Sequence, residues 1–146
     1  MIQIKLITPD QTKPLRHLVL WPHIEREENC VIAQDHDPSA FHLGAFQGDD
    51  LIAIGSFFEM SSSKINYALQ YRLRAMASHP DCRGSGAGKA LLIYSLEFLR
   101  QKQIYVLWCD ARLKAVGFYK GIGFQLIDEI YDVPIIGLHQ FMYYPL

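Results

Sequence analysis

A run of glycines placed directly before an amphipathic segment constrains the fold of this chain more than any other feature. The run reads Arg83-Gly84-Ser85-Gly86-Ala87-Gly88-Lys89. Apolar residues at helical spacing follow it and predict a helix from about Ala87 to Gln101. Alternating residues before it predict a strand from Tyr71 to Ser78. A strand, a glycine turn and a helix therefore succeed one another without a break.

This turn has the properties of an anion-binding loop. Glycine lacks the Cβ atom that would obstruct a tight bend or a close ligand. The first turn of a helix has amide N–H groups without internal partners, and the helix dipole favours negative charge there. We therefore predict that a phosphate or pyrophosphate binds the main chain of Arg83, Gly84, Ser85, Gly86, Ala87, Gly88 and Lys89. A glycine-rich turn without any ligand is the alternative.

Two well-known nucleotide-binding motifs fit this run poorly. The P-loop, G-x-x-x-x-G-K-[ST], would place Arg83 at its first glycine and Ala90 at the hydroxyl that binds magnesium. The dinucleotide fingerprint, G-x-G-x-x-G, requires a glycine where Lys89 stands. A P-loop phosphotransferase is therefore disfavoured.

The pattern Arg-Gly-x-Gly-x-Gly at residues 83–88 resembles the pyrophosphate loop of the GNAT superfamily, the acyl-CoA-dependent N-acyltransferases. A second segment, from Ala115 to Phe124, resembles the A-x-x-F-Y-x-x-x-G-F motif of that family. The two motifs occur in the family's order, with a predicted helix and strand between them. We expect the resemblance to cover residues 1–146 as a single domain, like the small bacterial members of the family.

The resemblance implies an α/β (α+β) fold with a mixed, mostly antiparallel central sheet and flanking helices. Two parallel strands would splay apart at their carboxyl ends and hold the pantetheine arm of CoA there. They are Tyr71–Ser78 and Ile104–Cys109. The alternation pattern predicts further strands at Phe41–Gln47, Leu51–Met60, Phe124–Ile130 and Phe141–Tyr144. A helix from about Leu113 to Lys120 would end at Gly121 and Gly123.

The resemblance also implies a reaction, the transfer of an acetyl group from acetyl-CoA to a primary amine by direct attack in a ternary complex. The acceptor would be a small molecule or a peptide. Met76, Ala77 and Ser78 would hold the thioester end, with an oxyanion donor near Ala77. Tyr119 would be the general acid toward the CoA sulfur, and simple aromatic packing is its alternative. A non-catalytic acyl-CoA sensor is the second functional hypothesis.

Candidates for the remaining roles come from the residues themselves. His139 is the candidate base because a histidine accepts a proton near neutral pH, although a water chain could replace it. Arg74 and His42 are candidate acceptor-binding residues. The alternatives are that Arg74 simply lines the sheet and that His42 is a satisfied or exposed polar residue. Asp110 stands where related sequences often have asparagine, and its charge argues against a direct phosphate contact. His36 has no second histidine at ligand spacing, so no metal site is predicted.

The first helix and the loop after it are the least informative regions for function. Thr8 or Asp10 is predicted to cap that helix. Arg16 is predicted to lie on its solvated face, and a place in the wall of the substrate cleft is the alternative. The acidic residues between Glu25 and Asp37 predict a polar loop, or alternatively a surface that attracts a cationic amine.

Composition excludes several other classes. A net charge of −1 without a basic block argues against a nucleic-acid binder. No apolar run approaches the length of a membrane span, and the N-terminus lacks a signal-peptide pattern. The 3 cysteines form no C-x-x-C pair, which is typical of reduced thiols. We therefore expect a cytoplasmic protein without a membrane or nucleic-acid partner, and a monomer or homodimer by analogy with the family.

Overall fold

The structure, a computed structural model, describes residues 1–146 as one seven-stranded sheet with three α-helices. The strand order is β1-β2-β3-β4-β5-β7-β6, and every adjacent pair is antiparallel except β4 and β5. The predicted mixed, mostly antiparallel sheet is therefore confirmed. The elements are β1 (Ile2–Ile7), α1 (Pro9–Leu15), β2 (Phe41–Gln47), β3 (Asp50–Glu59), β4 (Gln70–Ser78), α2 (Ala87–Gln101), β5 (Val106–Arg112), α3 (Val116–Ile122), β6 (Gln125–Val133) and β7 (Gly137–Pro145).

The parallel pair at the centre of the sheet separates partway along its length. Gln70–Arg72 of β4 pairs with Val106–Trp108 of β5, and no pairing follows. β4 nevertheless continues to Ser78 and β5 to Arg112. The predicted splay is confirmed, and it leaves one edge of each strand free of a neighbouring strand.

A bulge interrupts β4 just after its paired segment. Ser56 of β3 lies opposite Arg74, and Ile54 lies opposite Ala77, so two residues of β4 face one residue of β3. The extra residue is Ala75, whose φ of 54° is in the left-handed region. Such a conformation costs roughly 1–2 kcal/mol for a residue with a Cβ, and the sequence has no glycine there to announce it.

The bulge also changes which face of the sheet the following side chains occupy. Opposite residues in an antiparallel pair share a face, so Arg74 lies on the same face as Ser56. After the bulge, Met76 and Ser78 pack near Gly88 at the start of α2 on the other face: a Cβ on Gly88 would lie 3.5 Å from the methionine Cε and 3.4 Å from the serine Oγ. β4 therefore contributes side chains to both faces of the sheet.

The apolar core lies between the sheet and α2. The helix occupies the predicted bounds, Ala87–Gln101. Its inward face buries four leucines almost completely, which are Leu91, Leu92, Leu96 and Leu99. Burial of one leucine side chain contributes about 1.5–3 kcal/mol, so this face holds the helix, and the glycine turn before it, on the sheet.

The opposite face of the sheet carries α1 and a π-helical turn, Arg16–Leu20. Thr8, one of the two residues predicted to cap α1, does so in a capping box with Gln11. Arg16 is 0% exposed, so its predicted place on a solvated face is wrong. Its guanidinium forms two 2.8 Å hydrogen bonds with the Asp35 carboxylate and donates a third to Ser56.

Three boundary predictions are wrong for reasons of tertiary structure. β5 starts at Val106 rather than Ile104 and runs to Arg112 because its last residues pair with β7. Gly121 lies inside α3, and only Gly123, with a φ of 123°, ends it. The closing strands β6 and β7 are longer than predicted because they pair with each other across a tight turn. None of the three helices has the length and apolar character needed to cross a membrane.

Candidate active site

A cavity of about 810 Å³ occupies the gap between β4 and β5. Its wall includes the splayed ends of both strands, the glycine loop, the start of α3 and the π-helical turn. This volume is within the usual range of ligand sites. Asp110 is the one carboxylate on the wall, whereas six side chains are cationic: Arg72, Arg74, Arg83, Lys89, Arg112 and Lys114. The cavity therefore carries an excess of positive charge.

The glycine loop forms one end of this cavity. Gly84 and Gly86 have φ values of 84° and 85°, a conformation that favours glycine. A Cβ placed on either one would meet no atom within 4 Å, so the space in front of the loop is open. The two glycines are therefore required by the backbone conformation, and not by crowding within the protein.

The amides of this loop have few partners within the protein. The N–H groups of Gly84, Gly86, Gly88 and Lys89 donate no hydrogen bond to the main chain. The first turn of α2 contains no acidic residue, and its N-cap, Gly86, has no side chain to cap it. Donors, dipole and basic side chains together favour an anion at this end of the cavity.

Tyr119 lies on α3 and lines the cavity. Its ring packs at its edge against Phe118 and Phe124, with centroids 5.2 Å apart in both pairs. Burial, and to a lesser degree the neighbouring Cys109, hold the pKa of the phenol well above its usual value. The hydroxyl group is therefore a proton donor throughout the neutral range.

His139 lies on β7 at the same cavity and is 5% exposed. Its Nδ1 is 2.7 Å from the carbonyl oxygen of Gly137. A carbonyl only accepts hydrogen bonds, so Nδ1 must carry the proton and donate. The other ring nitrogen, Nε2, is then left with a lone pair that can accept a proton.

Asp110 is held by two residues that the sequence did not single out. Arg72 donates to one carboxylate oxygen at 2.8 Å, and the Tyr131 hydroxyl donates to the other. Burial, followed by this hydrogen bond, raises the pKa of Tyr131. The guanidinium of Arg72 also lies 4.9 Å from the Trp108 ring centroid. Asp110 is therefore charge-paired, which removes most of the repulsion that the sequence predicted.

Two other arginines on the wall have no carboxylate partner. Arg74 makes no salt bridge, and Arg112 makes one long hydrogen bond, at 3.4 Å, to the carbonyl of Leu20. Burial lowers the pKa of both groups, and Arg72 and Arg16 lower that of Arg74 further. Arg112 was missed in the sequence, although Trp108, Asp110 and Arg112 alternate on a strand in the way that polar cavity linings do.

The structure brings most of the predicted site residues together. Met76, Ala77, Ser78, the whole run 83–89, Arg74, Tyr119 and His139 line one cavity. His42 is the exception. It is 3% exposed and hydrogen-bonds with Ser56 and the carbonyl of Asp35, away from the cavity, so its position does not support a contact with an acceptor.

The acidic loop also lies elsewhere. None of the residues between Glu25 and Asp37 lines the cavity, and Asp35 is buried against Arg16. The polar-loop interpretation therefore fits better than that of a surface for cationic amines. The structure contains no group of three or more histidine, cysteine or acidic side chains placed to hold a metal ion.

Comparisons with known proteins agree with this arrangement. Residues 5–124 match the family model described as Acetyltransferase (GNAT) family. The chain is 36% identical over 143 residues to YitI of Bacillus subtilis (strain 168), an uncharacterized N-acetyltransferase, and the match covers 98% of this chain and 95% of that protein.

Solved structures share the fold. A Lactobacillus plantarum protein with a provisional N-acetyltransferase description superposes with a TM-score of 0.79 at 19% identity, covering 99% of this chain and 98% of that one. An aminoglycoside 6'-N-acetyltransferase complexed with coenzyme A superposes with a TM-score of 0.77 at 12% identity. That match covers 98% of this chain and 96% of the other. The family match covers residues 5–124 and the YitI match covers nearly the whole chain, and the chain therefore belongs to the GNAT family of acetyltransferases.

Proposed function

We propose that this protein transfers the acetyl group of acetyl-CoA to a primary amine of a small molecule or peptide, by direct attack in a ternary complex. One observation carries the proposal. A single cavity connects an open, donor-rich glycine loop with a tyrosine that can give a proton and a histidine that can take one. One cavity thus contains a binding loop for the acyl donor, a group that can accept a proton and a group that can donate one.

The residues present fit a CoA diphosphate. Main-chain amides of 84–89 would bind the phosphate oxygens, with Arg83 and Lys89 at the rim. The free edge of β4 at Met76, Ala77 and Ser78 would pair with the amides of the pantetheine arm as another strand would. When bound, acetyl-CoA supplies the activated acyl group; the protein supplies position, charge and proton transfer.

Tyr119 and His139 would handle protons at opposite ends of the reaction. Nε2 of His139 would accept a proton from the attacking amine, directly or through water, and the Tyr119 hydroxyl would donate one to the departing sulfur. The positive charge of the cavity supports this chemistry because it favours the neutral, nucleophilic form of an amine.

A panel of amines tests the proposal. Purified protein is incubated with acetyl-CoA and each amine, free thiol is measured, and the product is identified by mass spectrometry. Acetyl-CoA should also raise Tm, whereas ATP with magnesium should not. Thiol release that depends on an amine supports an enzyme. A Tm shift without thiol release from any amine or peptide would instead favour the acyl-CoA sensor.

The glycine loop gives a prediction about affinity. Gly86→Ala places a Cβ on a residue with a φ of 85°, so the binding conformation becomes less populated by about 1–2 kcal/mol. We expect the Kd for acetyl-CoA, measured by calorimetry, to rise about tenfold. Gly121→Ala is the matched control because Gly121 is helical and outside the cavity. Equal Kd values for the two variants would show that the glycine loop does not bind acetyl-CoA.

His139 gives a prediction about the rate of acetyl transfer. His139→Gln keeps a side-chain amide that can donate to Gly137 but has no basic nitrogen. We expect kcat/KM to fall about 100-fold near neutral pH. Steady-state kinetics of the wild type and the variant with the best amine acceptor measure the effect. A variant with the kcat/KM of the wild type would show that water, and not His139, receives the proton.

A further inference from the structure

The cavity contains two partly buried arginines, Arg74 and Arg112, that have no carboxylate partner within the protein. Arg72 is neutralised by Asp110. No carboxylate in the protein lies within salt-bridge distance of Arg74 or Arg112, and Arg74 makes no side-chain hydrogen bond. Burial of an unpaired guanidinium costs free energy, and such groups are commonly found where a ligand completes the pair.

Both arginines lie on the face of the sheet opposite to α2. Arg74 shares a face with Ser56, whose hydroxyl accepts a hydrogen bond from Arg16 of the π-helical turn. Arg112 lies opposite His139 in the β5–β7 pair and contacts the carbonyl of Leu20 at the end of the same turn. The candidate base, His139, therefore stands beside Arg112 and lines the same cavity as Arg74.

The phosphates of CoA are poorly placed to be the missing partner. The glycine loop leads into α2 on the other face of the sheet. Arg74 is four positions before Ser78, which at about 3.3 Å per residue puts it about 13 Å from the end of the strand. The remaining occupant of this side of the cavity is the acceptor.

Apolar side chains surround the two arginines on the side of the π-helical turn and of the β6–β7 turn. They are Val19, Leu20, Trp21, Val133 and Ile136. Ion pairs and hydrogen bonds are stronger in such surroundings than in water. Each guanidinium also presents a planar fork of donors that matches a carboxylate.

We propose that Arg74 and Arg112 bind a carboxylate on the acceptor, so that the substrate is an amine that also carries a carboxylate, as a free amino acid does. This inference rests on the proposed function and narrows its substrate class. The same cations disfavour polyamines and other multiply charged amines, because the cavity already holds six cationic side chains against one carboxylate.

The test compares matched acceptors. Thiol release from acetyl-CoA is measured with the common amino acids, with the carboxamide of each, with phenethylamine and spermidine, and with O-phosphoethanolamine. We expect the best acceptor to be an amino acid, and its carboxamide to be about 10- to 100-fold poorer in kcat/KM, as befits the loss of a charged hydrogen-bonded pair. Equal or better rates with carboxamides, polyamines or the phosphate-bearing amine would overturn the inference.

A substitution separates binding from a merely structural role. Arg74→Gln should raise the KM for the best amino acid about 10- to 100-fold, retain most of kcat, and leave both the KM for acetyl-CoA and the rate with carboxamides unchanged. Arg100→Gln removes an exposed guanidinium outside this cavity, and it should leave the KM for the amino acid and the KM for acetyl-CoA unchanged. An Arg74→Gln enzyme that discriminates the amino acid from its carboxamide as well as the wild type does would contradict the inference.

Two outcomes remain distinguishable from each other. If acetyl-CoA raises Tm and amines without a carboxylate are acetylated best, the proposed function stands and the carboxylate inference is wrong. If no amine releases thiol and acetyl-CoA leaves Tm unchanged, both are wrong. Should Arg74→Gln fail to fold, Arg112→Gln and the wild-type comparison of acids with carboxamides decide the question on the same criteria.

Discussion

Tyr119→Phe is expected to lower kcat about 100-fold, the lower end of what a general acid contributes. The substitution removes one oxygen atom and keeps the ring that packs against Phe118 and Phe124. Because the phenol is buried and its pKa is raised, it is protonated in the wild type and available to donate. Steady-state kinetics with the best amine acceptor, together with calorimetric binding of acetyl-CoA, measures the effect.

The comparison of kcat with affinity identifies the role of the hydroxyl. The Kd for acetyl-CoA should stay within about twofold, since the hydroxyl acts on the departing sulfur and not on the bound diphosphate. Tyr105→Phe is the control, because Tyr105 is exposed and outside the cavity. A Tyr119→Phe enzyme with the turnover of the wild type would remove this residue from the mechanism.

Asp35→Ala is expected to destabilise the protein by about 3–5 kcal/mol, because it leaves the guanidinium of Arg16 buried without its counter-ion. Arg16 is 0% exposed, and its Nε already lacks a hydrogen-bond partner. The Asp35 carboxylate also accepts a hydrogen bond from the amide of Ile32, which ties the loop to the sheet. Urea denaturation followed by circular dichroism measures the free energy of unfolding.

Two further variants test whether the loss of stability comes from the ion pair or from any substitution in this loop. Asp37→Ala changes an exposed carboxylate of the same loop and should cost less than about 0.5 kcal/mol. Replacement of both partners, Arg16→Met with Asp35→Leu, should recover most of the lost stability, since an apolar pair replaces a buried charge pair at little cost. If Asp35→Ala were as mild as Asp37→Ala, the ion pair would not be the structural element that we describe.

The same pair predicts how stability depends on pH. Burial alone would raise the pKa of Asp35, but hydrogen bonds from Arg16 and Ile32 hold it below its usual value. A carboxyl whose pKa is lower when folded stabilises the protein fully above its unfolded pKa of about 3.9 and loses that contribution as pH falls. As the pH is lowered, the free energy of unfolding of the wild type should therefore lose a contribution that the double variant does not have.

Local signals in the sequence were sufficient for the centre of the fold. Helix α2 has the predicted bounds because its apolar spacing and the glycines before it are both local. The glycine loop followed directly, since Gly84 and Gly86 adopt left-handed conformations that other residues avoid. These features also placed the candidate anion site.

Features that depend on distant partners were not predictable in this way. Arg16 and Asp35 are 19 positions apart, and charged residues on an amphipathic helix usually face solvent. The bulge at Ala75 has no glycine to signal it, yet it decides that Arg74 and Met76 lie on different faces. Arg112 belongs to the cavity only because β7 extends β5 beyond Cys109.

The central claim is that acetyl-CoA binds with its diphosphate on the main-chain amides of residues 84–89 and its thioester in the gap between β4 and β5. A crystal structure of the protein with acetyl-CoA tests this most directly. We expect phosphate oxygens within hydrogen-bond distance of the amides of Gly84, Gly86 and Gly88, and the sulfur near the Tyr119 hydroxyl. A complex with the glycine loop empty, and the cofactor bound elsewhere or absent, would contradict the account.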